Sequence, residues 1–285
     1  MSARWLRRAP AGLGGVALAA TLLACGADTG SRRFSFDARA GGAASATGAP
    51  LVFTNQVGWT ITLSRADVTL GPVYLNVQPP LRVGGWYDWL VRPAFAQASH
   101  LDEGRVAGEV LGQVRFSALS AELVPFPVAG TLAQEEVRTA EVWFYPSPGA
   151  PAESSAIDSV ALDVAGEASR EGVVIAFAGQ LVLDADWLPQ QVAGTRGNAS
   201  ITEIRQVRGI AAGFYPEEGG HLELRLDVTR LFRGANFASL EGNPVGADGV
   251  RQLTQAPESR DQVMVNLYQG LREANGTYAL SWVVP

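Results

Sequence analysis

The chain has 285 residues, 47% of them apolar and 18% charged, which suits one large or two ordinary globular domains and excludes disorder throughout. Its formal charge is −6 and every basic residue is an arginine, a balance that argues against nucleic acid as a partner. Composition names no activity; it bears on where the protein sits and how it is built.

Arg4, Arg7 and Arg8 form a positive start, and the 14 residues from Ala11 to Ala24 are apolar or small, the length of a signal-peptide core and too short to span a bilayer. The run ends Leu22-Leu23-Ala24-Cys25-Gly26, with the small Ala24 directly before the only cysteine of the chain. This segment resembles the signal of bacterial lipoproteins. The resemblance implies cleavage before Cys25, diacylation of its thiol and acylation of the new amino group, so that residues 1–24 are the signal and the acylated Cys25 holds the protein to the lipid bilayer. Gly26 carries no inner-membrane retention signal in that pattern, which implies the outer membrane of a Gram-negative cell. The alternative is that Cys25 lies in the tail of an ordinary secretory peptide.

Cleavage leaves 285 − 24 = 261 residues and a charge of 19 − 28 = −9, so a polybasic attachment to anionic lipid is absent. With Cys25 acylated no thiol remains for a disulfide, and stability must come from the core, for which the chain is long enough.

Residues 25–33 read as the lipidated cysteine with a flexible tether, and 34–285 as a single domain. The wider stretch Gly26 to Gly48 is rich in Gly, Ala, Ser and Thr, with Phe34 and Phe36 alternating as one short strand. Further on, Leu51 to Asn55, Trp59 to Leu63, Asp67 to Val77, Arg105 to Phe116, Ala140 to Tyr145 and Ser159 to Val164 are β-rich runs separated by Gly, Pro, Asn or Asp. Gly172 to Asp184 alternates, with Val173, Ile175, Phe177, Leu181 and Leu183 on one face, and Val174 and Val182 blurring the contrast. His221 to Thr229 alternates more cleanly, with Leu222, Leu224, Leu226 and Val228 opposite His221, Glu223, Arg225, Asp227 and Thr229. Between Ser259 and Ala274 the period changes: Val263, Leu267 and Leu271 recur at helical spacing, with Ser259 as the cap and Asn275-Gly276 as the stop. An alternating strand, Thr277 to Val284, follows.

Short strands, 32 glycines, 16 prolines and no βα alternation predict an all-β fold: an antiparallel β-sandwich with one C-terminal helix before the last strand. The proline-rich stretch Pro146 to Pro151 would serve equally as a divider between two small β domains or as a loop within one sandwich.

Signatures of catalysis are scarce. Gly-x-Ser-x-Gly, His-Glu-x-x-His and a phosphate-cradling loop are absent, and with no lysine and no free cysteine, mechanisms that need either are excluded. A hydrolase built on two carboxylates stays open, because their separation in space is invisible in sequence.

Two groups merit attention. His100, Asp102 and Glu103 lie within four residues, and His221, the only other histidine, follows Glu217-Glu218; brought together they would suit Zn or Cu. Left apart, each histidine is an ordinary polar residue. The runs Val57-Gly58-Trp59-Thr60-Ile61-Thr62-Leu63, Gly71-Pro72-Val73-Tyr74-Leu75 and Leu224-Arg225-Leu226-Asp227-Val228 resemble the layout of methanobactin-associated periplasmic copper proteins, a resemblance that carries over no residue role. The second group is Trp86, Tyr87 and Trp89 with Arg92, after Gly84-Gly85: in a loop, a platform for a sugar or a partner protein; in a strand, rings that close the core. Asn198-Ala199-Ser200 and Asn275-Gly276-Thr277 match a glycosylation pattern by chance, and Glu135-Glu136 reads as a solvated edge.

The expected function is therefore a cell-envelope lipoprotein whose β-sandwich binds an envelope protein or a small ligand without transforming it. The alternatives are a periplasmic metal-binding protein using His100 and His221, and a carbohydrate-active hydrolase.

Overall fold

In the computed structural model the described residues are 32–78, 105–144, 160–183, 205–255 and 261–285. Arg33–Pro285 forms one compact unit. Its strands are β1 (Arg33–Gly42), β2 (Leu51–Thr54), β3 (Thr60–Leu70), β4 (Val73–Asn76), β5 (Val106–Val110), β6 (Val114–Ser117), β7 (Val124–Pro125), β8 (Gly130–Ala133), β9 (Val137–Trp143), β10 (Val160–Arg170), β11 (Val173–Val182), β12 (Gln206–Phe214), β13 (His221–Leu226), β14 (Arg251–Gln252) and β15 (Tyr278–Val283). One sheet has the order β12-β9-β4-β5-β8-β1-β13-β15, with β7 also on β1; the other has the order β14-β11-β10-β3-β2, with β6 also on β3. Helix α1 (Gln262–Arg272) precedes the last strand. The fold is the expected antiparallel sandwich, with one sizeable helix among the described residues. Two pairings are parallel, β1 with β13 and β11 with β14. Among the described residues no helix is long and apolar enough to cross a membrane.

The larger sheet curls toward closure. Its two end strands meet through side chains, Phe214 of β12 stacking on Trp282 of β15 with ring centroids 5.9 Å apart. The inner faces of both sheets and one side of α1 share a single apolar core. Phe36, Leu75, Val142 and Ile210 enter it from one sheet, and Ile61, Leu63, Val68, Leu162 and Phe177 from the other. Two 3-10 turns, Val228–Phe232 and Phe237–Gly242, plug the core between α1 and β11, where Phe237 lies 4.8 Å from Phe177 by centroid. Each such fully buried side chain stabilises the fold by about 1.5–3 kcal/mol.

One antiparallel ribbon joins the sheets. β3 continues into β4 on one side and β5 into β6 on the other; β3 pairs with β6 in the smaller sheet and β4 with β5 in the larger. The expected strands Asp67 to Val77 and Arg105 to Phe116 are therefore each broken in two, at Gly71-Pro72 and at Leu111 to Gln113. Gly71 has a φ of 122°, and a Cβ there would strike the carbonyl oxygen of Gly112. The backbone at Gly112 passes this close because Gly71 carries no Cβ, while a Cβ on Gly112 would crowd Pro127 and Val128 instead. Within β3 the inward set changes phase, from Ile61 and Leu63 to Ala66, Val68 and Leu70. A bulge opposite Ala165 and Gly166 takes up the extra residue, so both halves still face the core.

Other differences have equally local causes. β1 runs to Gly42, through a stretch whose composition reads as tether, and lies in the middle of the larger sheet. Its Gly41 and Gly42 are small because the carbonyls of Glu122 and Ala118 approach them closely. The helix begins at Asp261, whose carboxylate accepts from the Met264 amide; Ser259, the expected cap, lies outside the described residues. β13 stops at Leu226, because Asp227 accepts from both the amide and the hydroxyl of Thr229 and starts a 3-10 turn. Glu135 and Glu136 occupy the solvated bend between β8 and β9, paired with Arg105 and Arg138.

Candidate functional site

Of the residues singled out from the sequence, His221 lies among those described. Cys25, Trp86, Tyr87, Trp89, Arg92, His100, Asp102 and Glu103 lie outside the described residues. His221 opens β13 on its outward face, level with Asp37 of β1, its Nε2 3.4 Å from Glu223 Oε1. Glu223 is also held by Arg225 at 3.1 Å. Among the described residues no group of three His, Cys, Asp or Glu side chains could hold a metal ion.

Two carboxylates that drew no notice in the sequence are nearly buried on outward faces. Glu141 of β9 accepts from the Trp143 indole and from the Gln206 amide, with Arg208 Nε at 3.7 Å from its other oxygen. Arg208 is aimed there by an irregularity in β12 whose Gly209 has a φ of 74°. Asp163 of β10 is fastened by Arg65 at 2.9 Å and by the Gln180 amide at 3.2 Å. Both carboxylates have their charge compensated by arginine and by hydrogen bonds, as burial demands, and this fastens neighbouring strands together.

The open surface is elsewhere, at the end of the smaller sheet where two hairpin turns stand side by side. The β2–β3 turn is built on Asn55, and all its hydrogen-bonding capacity is used. Its Oδ1 accepts from the amides of Val57 and Trp59 at 3.2 and 2.9 Å, and its Nδ2 donates to the carbonyls of Phe232 and Ala235 at 3.1 and 2.8 Å. The β10–β11 turn has Glu171 and Gly172 at φ of 53° and 82°, the two left-handed residues of a tight hairpin whose twist matches its strands. Arg170 clips the turns together: its guanidinium lies 4.6 Å from the Trp59 ring centroid and donates to the Val57 carbonyl at 3.3 Å. Between them Thr60, Ser169, Arg170 and Glu171 line a shallow groove. Val57, 42% exposed, also lines it, and beyond the turn β11 opens with Val173 at 53% and Val174 at 62%, on opposite faces of the strand. The alternation of β11 places Val173 with its buried partners, whereas the strand projects past the core at this end and leaves it in solvent. Glu171-Gly172 is the sequence signal for this tip, weaker than the Asn-Gly or Asp-Gly that marks most such turns.

The groove offers main-chain groups, two hydroxyls, one guanidinium, one carboxylate and apolar rims. That set suits binding. No protein-family model, no curated protein and no solved structure matches the chain.

Proposed function

We propose that this protein is a lipid-anchored component of the cell envelope whose β-sandwich binds a partner without transforming it, and that the paired hairpin tips are its binding surface. The exposed valines carry this reading, because a fold with a well-filled core has no structural need to keep three β-branched side chains in water on two adjoining hairpin tips. The chain enters the folded unit at Arg33, which the strand register sets level with the Asn76 end of the ribbon, and the tips adjoin its other end at Thr60. A photo-reactive side chain placed at position 57 or 174 of the full chain should cross-link one defined partner in intact cells, whereas one at Arg138, exposed on the other sheet, should not. Equal labelling from all three positions, or none from the tips, contradicts the reading.

His221 beside Glu223 supports a second reading, in which these two groups are half of a Zn or Cu site completed by His100, Asp102 or Glu103. Elemental analysis of protein purified without chelator decides it. The second reading expects stoichiometric metal that is lost when His100 and His221 are both changed to alanine, and metal-free protein that cannot be loaded rejects it.

A further inference from the structure

The free edge of β11 allows a more specific statement, which rests on the reading of this domain as a binding module. β11 pairs with β10 along its whole length. On its other side the phase of the backbone is fixed at two points. The Leu253 amide donates to the Ala178 carbonyl at 2.8 Å, and the Gln255 side chain both donates to and accepts from Val182, at 2.8 Å each. In a strand the N–H and C=O of one residue point the same way and alternate along the chain, so even-numbered residues of β11 face away from β10. Val182 is covered by a side-chain amide that imitates a strand and Ala178 by β14, Gln180 lies between these two points, and the register of Phe177 with Arg251 sets the Arg251 amide on the Ala176 carbonyl. Both main-chain groups of Val174 and the amide of Ala176 remain, and among the described residues no strand lies beside Val174.

We infer that Val174 and the amide of Ala176 form a strand-docking site that takes an extended, uncharged segment of a partner protein as an added strand of the smaller sheet. Unpaired amides and carbonyls in strand geometry are satisfied in register only by another extended backbone, which defines the class of ligand. The side chains specify it further. Edge strands are ordinarily protected by charge or proline, and here the flanking side chains are Val173, Val174 and Ile175, so the incoming segment meets apolar neighbours on both faces. The edge of β2 is the contrast: its Val52 and Thr54 point outward in the same sense, but Pro50 blunts its start and the Gln56 amide beyond it is bonded to Arg233. A second copy of this chain is a poor occupant. β14 of each copy stops the overlap once Val174 faces its own counterpart, leaving one pair of bonds and far less than the roughly 1,000 Å² a specific interface buries.

The probe is a blocked heptapeptide of alternating threonine and valine, added to the full chain, with amide hydrogen exchange read residue by residue. Exchange at Val174 and Ala176 should slow at least tenfold while β10 and β3 are unaffected. Val174→Pro should abolish the slowing at Ala176, because its amide faces the open edge and a proline there removes no bond to β10. Val174→Lys keeps the test alive should the proline variant fail to fold. Unchanged exchange at both residues, slowing at Val52 and Thr54 instead, or protection that rises with protein concentration in the absence of peptide would each overturn the inference. None of these readings depends on a lipid at Cys25 or on cross-linking in cells, so failure here is separable from failure of the broader reading.

Discussion

Tyr278, at the start of β15, is fully packed between α1 and the larger sheet, and its hydroxyl donates to the carbonyl of Leu271. Burial pushes the phenol well above its usual value of about 10, since the phenolate would lose its hydration. At alkaline pH the folded chain keeps the phenolic proton that the unfolded chain has lost. This contribution to stability is therefore complete below about pH 10 and is lost as pH rises toward the folded value. The unfolding midpoint should fall between pH 9 and pH 11, and Tyr278→Phe should flatten that fall while costing about 1 kcal/mol at neutral pH for the carbonyl left unpaired. A decline of equal slope in the variant would assign the alkaline loss to other groups. At this scale the helix was the most legible element: Val263, Leu267 and Leu271 are all buried where their spacing places them. Its cap was not, because Ser259 and Asp261 are both good caps, and what favours Asp261 is tertiary. Its second oxygen accepts from the Asn243 side chain and the Thr254 amide, partners no local pattern contains.

Glycine acts in two different ways in the strands and turns, and the two separate experimentally. Gly172 has a φ of 82° with open space around a would-be Cβ, so Gly172→Ala should cost only the left-handed backbone penalty, about 1–2 kcal/mol. Gly71 adds a collision with the carbonyl of Gly112 where the ribbon passes between sheets, and Gly71→Ala should cost about 3 kcal/mol or more. Chemical denaturation of both variants measures the difference, and equal costs would contradict the corner. A similar close approach explains why the second half of β1 was hidden behind the short strand expected at Phe34 and Phe36. Alternating Phe34, Phe36, Ala38 and Ala40 are all buried, but small residues ending in Gly41-Gly42 have the composition of a linker. Conversely, continuous β-rich runs concealed the breaks at Gly71 and Gly112, since propensity registers extended backbone and not the sheet to which it belongs.

Across the whole molecule, fold class was legible from the density of strands and turns, while the order of strands was not. β1 pairs in parallel with β13 from the far end of the chain, and closure of the larger sheet depends on Phe214 meeting Trp282, relations set by packing between distant segments. The proposed binding surface escaped notice for a related reason. An exposed edge is defined by the strand that is missing beside it, which only the assembled sheet reveals. In the proposed function that surface belongs to a lipid-anchored protein, and its cellular role depends on the anchor. The most direct test is the mass of the N-terminal peptide of the full chain recovered from the membrane fraction of expressing cells. The peptide expected begins at Cys25 and carries a thioether-linked diacylglycerol and an acylated amino group. A soluble protein with a free thiol, or an N-terminus at any other residue, would contradict the anchor.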